Sequence, residues 1–302
     1  MSNLVLSPVI DLNTTVGLLK NAVPDWEWLL RHIESRNGFF RFPKQVTDFI
    51  ERFRIENYPL LYQNEAAISC AFLRSLLSES EIKELNDELA AMSVDERGQF
   101  TQVLIDGVKN GIDDGIAYVE ERTQQQIDAE YLAMSPEEQQ DIVKRIQWFG
   151  MSCLSMFYQV LSTMVHRQKL TSLVAQAKAG DDIALVKAVQ IDPRIAGIDP
   201  YFRSRFANLH AEGNEVFRKK LAYVMKSAPY RGKVRHKSLW MGLAFLDMCG
   251  HLDTLKHREI LDLFDEAGIG GYANRIEDVK YLGKRIGEYR SFQQGLLCLS
   301  TP

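Results

Sequence analysis

The chain has 302 residues, of which 46% are apolar and 25% charged, with 36 Lys plus Arg against 40 Asp plus Glu. That length is enough for one large or two ordinary domains with a substantial core, and the composition argues for a soluble globular protein rather than a disordered or membrane-embedded one. Four cysteines, Cys70, Cys153, Cys249 and Cys298, are scattered without CxxC spacing, which predicts reduced thiols, a cytoplasmic setting, no structural zinc and no cofactor.

The opening MSNLVLSPVIDLNTTVGLL is interrupted by Pro8, Asp11 and Asn13 and has no basic leader, so it does not read as a signal peptide. Helix starts are then written as capping boxes: Ser78 to Glu81, Ser93 to Glu96, and Ser135 to Glu138, the last with a proline at the first helical position. Between them, Gly107, Gly111 and Gly115 are four apart beside Leu104, Val108, Ile112 and Ile116, which predicts a helix edge that a neighbouring backbone can approach closely. Asp113, Asp114, Glu120 and Glu121 would hold Mg²⁺ only if two helices brought them together. Adjacent carboxylates point about 100° apart on a helix, so an exposed acidic face is expected.

Residues 146–165, IQWFGMSCLSMFYQVLSTMV, are twenty residues without a charge. Ser152, Ser155, Gln159 and Ser162 recur at intervals of three and four and form one polar stripe on an otherwise apolar helix. Neutral side chains on such a stripe can bond to backbone carbonyls, so we expect a buried bundle helix. The length matches a bilayer span, but both flanks, Arg145 and His166-Arg167, are basic, no second span exists, and the stripe dilutes the hydrophobicity. Trp148, Phe149, Leu154, Phe157 and Leu161 should be buried.

Residues 173–193, LVAQAKAGDDIALVKAVQIDP, resemble one helical hairpin of an ankyrin-type α-solenoid repeat, without a second copy. The resemblance implies a single antiparallel helix pair. Asp192-Pro193 and Asp199-Pro200 predict a double turn with aspartate caps, and Gly180, Gly250 and Gly268 suit helix C-termini. Strand and hairpin signals are scarce. The fold class expected is all-α: an irregular multi-helix bundle of about 11–13 helices, built from helical hairpins around the apolar helix at 146–165. We expect an acidic N-terminal region, 1–167, ending in that helix and a basic C-terminal region, 168–302, with one continuous domain left open.

Charge divides unevenly. Residues 1–145 hold 25 acids and 14 bases, whereas 146–302 hold 15 and 22. Within these, 79–141 carries 17 acids against 4 bases and 203–237 carries 10 bases against 2 acids. Arg218, Lys219, Lys220 and Lys226 fall on a predicted helix with an apolar line of Phe217, Leu221, Val224 and Met225. A turn-rich linker follows with Tyr230, Arg231, Lys233, Arg235 and, at its end, Lys237, combining phosphate-neutralising cations with an aromatic that can stack on a base. Helices are predicted at about 237–249, 253–267 and 275–291. The last, with Lys284 and Arg285, is compatible with the reading helix of a helix-turn-helix.

Catalytic motifs are scarce: HExxH, GxSxG, a Walker loop and a His/Cys cluster are all missing from the sequence. Arg205 to His210 in RFANLH fits the spacing that resembles the HEPN family of helical ribonucleases. Phe206 departs from that family's polar residue after the arginine, and Arg203 with His210 and Arg231 with His236 fit the spacing equally. The sequence therefore reads as a nonenzymatic binding protein that is nucleic-acid-associated through its basic half. The alternative is an assembly module forming homo-oligomers through its acidic and basic faces, and a HEPN-like RNase stands third.

Overall fold

A computed structural model describes residues 57, 62, 77–93, 96, 99, 124–226, 229, 236–271 and 278–299. Among the described residues there are eleven α-helices and no strand, so the fold class is all-α. The chain divides into two compact units, residues 1–14 with 66–153, and residues 15–65 with 154–302.

In the first unit, α1 (Glu79–Ala91) starts as its sequence dictates. The Ser78 hydroxyl accepts from the Glu81 backbone N–H, and the Glu81 carboxylate accepts from the Ser78 N–H at 2.7 Å. The same exchange joins Ser93 and Glu96. It recurs for Ser135 and Glu138, where Pro136 opens α3 after α2 (Gln124–Ala133). Hydrogen bonds from Ser135 hold the Glu138 carboxyl below its ordinary pKa. The glycine edge at 107–115 and the carboxylates Asp113, Asp114, Glu120 and Glu121 lie outside the described residues.

The apolar run forms the later part of α3 (Pro136–His166). None of the helices among the described residues is long and apolar enough to cross a membrane. Trp148, Phe157 and Leu161 are buried, as expected, together with Val160, Met164 and Val165. The side chains of Phe149, Ser152 and Leu154 lie outside the described residues. The stripe of Ser155, Gln159 and Ser162 is also buried. Ser162 donates to the Gln168 carbonyl at 2.7 Å, and the Gln159 carboxamide oxygen accepts from the Thr171 N–H at the start of the next helix. One expectation fails here: His166 is no basic flank but extends the stripe by one more helical turn. Burial holds its pKa down at about 3, with Lys187 adding to the effect, so the ring is neutral.

The second unit continues with α4 (Leu170–Lys178) and α5 (Asp182–Ile191), which pack on each other and bury Leu173, Val174 and Ala177 of α4 and Ala184, Leu185 and Ala188 of α5. Gly180, at φ +103°, makes the turn that L-side chains resist, and the Asp181 carboxylate caps α5 through the Ile183 and Ala184 N–H groups. Asp192 and Asp199 turn the chain around the short α6 (Ile195–Ile198) into α7 (Pro200–Ala211). One Asp199 oxygen caps α7 at the Tyr201 and Phe202 N–H groups, and the other meets Lys178 at 2.8 Å. The helix α8 (Glu215–Lys226) then packs on α5 and α7.

Three helices close the chain: α9 (Lys237–Met248), α10 (His257–Glu266) and α11 (Asp278–Leu299). At Gly242 an added Cβ would come within 3.1–3.3 Å of Ile269 and Phe264, so glycine is what lets α9 approach this close. Residues 267–271, which follow α10, are outside any helix, and residues 272–277 lie outside the described residues.

Candidate binding surface on α8

The residues that α8 buries fall on one side: Leu221 and Val224, with Phe217 half-buried beside them. A helix buried on one stripe leaves the rest of its circumference to solvent. At 100° per residue, Glu215, Arg218, Lys219, Ala222 and Met225 share one flank, while Val216, Lys220 and Tyr223 share the other.

The first flank borders an open groove of ≈ 300 Å³ between α7 and α8. Phe206 and Leu209 of α7 and Leu221, Ala222 and Met225 of α8 supply an apolar floor, and Arg218, Lys219 and Glu215 a polar edge. Lys226, exposed, lies one helical turn beyond Ala222 on the same flank. On the opposite flank Val216 is 81% and Tyr223 53% exposed. The two are seven residues apart and so lie on one face of α8.

The cations of α7 and α8 divide into two kinds. Arg205 is held by Asp182 through two bonds, at 3.2 and 3.0 Å, and by Glu212 at 2.9 Å. These bonds, the Asp182 hydrogen bond foremost, raise its pKa further. Its guanidinium is thus occupied with joining α7 to α5, and the His210 side chain of the HEPN-like spacing lies outside the described residues. Arg218 meets Glu215 at 2.7 Å. In contrast, among the described residues Arg203, Lys219, Lys220 and Lys226 have no carboxylate partner.

Of the residues singled out in the sequence, Arg218, Lys219, Lys220 and Lys226 share α8, and Lys237 opens α9. Lys284 is exposed on α11, whereas Arg285 is half-buried and paired with Glu288 at 2.7 Å. Tyr230, Arg231, Lys233 and Arg235 lie outside the described residues. Sequence reasoning missed the α7 side of the groove, Phe206 and Leu209. The signal was present, since Phe206 and Leu209 are apolar residues three apart on one helix, but only the packing of α7 against α8 brings them to the groove that Met225 also lines. Among the described residues no group of three or more His, Cys, Asp or Glu could hold a metal ion, and Cys249 is a free thiol.

No family model matches the chain, and neither a curated protein nor a solved structure does.

Proposed function

We propose that the chain is a binding protein whose C-terminal unit docks an acidic, apolar-faced helical partner along α8. The observation that carries this reading is the combination of an apolar groove floor with lysines that, among the described residues, have no carboxylate partner. Phosphates need cations but gain nothing from Phe206, Leu209 and Met225. An amphipathic acidic helix uses both, its apolar stripe filling the groove and its carboxylates reaching Lys219 and Lys226. Unpaired lysines steer such a partner at long range, and the apolar floor slows its release.

A nucleic-acid partner is the second reading. It is favoured by the same unpaired cations and by the Tyr230, Arg231, Lys233 and Arg235 that follow α8 in the sequence. Fluorescence anisotropy with two labelled probes separates the readings: a helical peptide of glutamate and leucine, and a DNA duplex. Ala222→Glu, placed on the groove floor at an exposed position, should abolish peptide binding. Retention of the duplex with no binding of the peptide by the wild type would overturn the docking reading in favour of nucleic acid.

A further inference from the structure

We infer that the occupant of the α7–α8 groove is a second copy of this chain, which inserts Leu132 and its acidic surroundings; this rests on the docking reading above. Leu132, near the end of α2, is 75% exposed, the largest exposure among the large apolar side chains of the first unit that the structure describes. Glu130 before it and Glu137 and Glu138 after it are exposed as well. From Thr123 to Val143 the sequence holds five acids and no Lys or Arg. An exposed leucine within an acidic stretch is the chemical complement of an apolar trough edged by Arg218 and Lys219, with the exposed Lys226 one helical turn beyond. Both surfaces are carried by the same chain, so they are present at equal concentration wherever it is made.

Knob and groove lie in different stretches of the chain, so the contact is heterologous: each copy offers one of each, and addition is head to tail, closing into a ring or growing as a filament. The charge component makes association fall as salt rises, because the carboxylates and lysines at the edge are exposed and screened.

Full-length protein in sedimentation velocity should show a mass that rises with concentration and falls with added NaCl. Leu132→Glu and Ala222→Glu, both at exposed positions, should each be monomeric. Mixed one to one, the two variants should pair as a dimer and go no further, because one supplies only a groove and the other only a knob. Helical circular dichroism and an unchanged urea midpoint confirm that each variant is folded, and Leu132→Ser replaces the glutamate if it unfolds the chain. A wild type that stays monomeric, variants that associate like the wild type, or a mixture that does not pair would each overturn the inference. If the wild type is monomeric yet binds the Glu/Leu peptide, self-docking fails and the docking reading stands; if it binds no peptide, both fail.

Discussion

Two helices, α3 and α8, carry polar residues along one face and house them in opposite ways. On α3 the stripe of Ser155, Gln159, Ser162 and His166 is sealed, and every member is neutral. On α8 the stripe of Arg218, Lys219, Ala222 and Lys226 is open and cationic, beside an apolar groove. Burial explains the first: a charge without a partner in the interior costs far more than a neutral group, so the helix carries amide, hydroxyl and unprotonated imidazole. Nothing about folding calls for the second. Leu221 and Val224 anchor α8 without help from its lysines, and the α5–α7 tie is made by Arg205 with Asp182. Charge that the fold does not use, placed next to apolar surface it does not cover, is what directs the functional reading to α8.

The largest effects should come from the sealed side. Leu161→Ala on α3, at a fully enclosed side chain, should cost about 2 to 5 kcal/mol, read as a fall in the urea midpoint at constant slope. Loss of less than about 0.5 kcal/mol would mean that the site is not enclosed. His166 gives the same side a pH signature. Its folded pKa of about 3 lies below the ordinary 6.5. Below pH 6.5 the unfolded chain therefore takes up a proton that the native chain refuses. Stability is unaffected above about pH 6.5 and falls as the pH drops toward 3, by at most about 1.4 kcal/mol per pH unit. Urea titrations from pH 8 to 4 on the wild type and His166→Asn should diverge below pH 6.5, with the flatter profile in the variant. Parallel profiles would show a histidine that protonates freely.

Much of this was legible in the sequence because it is local. The Ser78, Ser93 and Ser135 boxes, the Asp181 cap and the Gly180 turn each need only neighbours within four residues, and the 3.6-residue period of Phe217, Leu221 and Val224 gives the inner face of α8 directly. The all-α class follows from many such local signals agreeing. What escaped depends on tertiary contact. His166 has the same sequence neighbours whether it caps a helix in water or lies inside a core; only packing decides, and it turned an expected basic flank into a neutral buried ring. Arg205 and Lys219 are likewise indistinguishable as letters. That Asp182, twenty-three residues earlier, occupies the first and, among the described residues, no carboxylate the second is a property of the α5–α7–α8 packing, and so is the groove that Phe206 and Met225 build from two helices.

The smallest stability effects, and the sharpest functional ones, belong to the open side. Lys219→Gln and Lys226→Gln, at exposed positions, and Lys220→Gln, at a half-buried one, should each leave the urea midpoint within about 0.5 kcal/mol, as expected for surface residues the fold does not use. Arg205→Met, which loses partly exposed ion pairs, should cost about 1 kcal/mol or less. A lysine variant that destabilises more than Arg205→Met would erase the distinction between structural and unused charge. Binding should rank these variants in the reverse order. With a duplex DNA probe, each lysine that meets a phosphate lowers the log-log salt slope by about 0.9 on removal, and replacing Arg231, Lys233 and Arg235 should lower it further, because counterion release counts contacts along the whole strand. With the Glu/Leu peptide the linker arginines should matter little, while Lys219 and Lys226, on the groove flank, should matter more than Lys220 on the other. Equal losses at Lys219, Lys220 and Lys226 would mean that α8 acts as a uniform rod of charge, and the groove would then have no part in recognition.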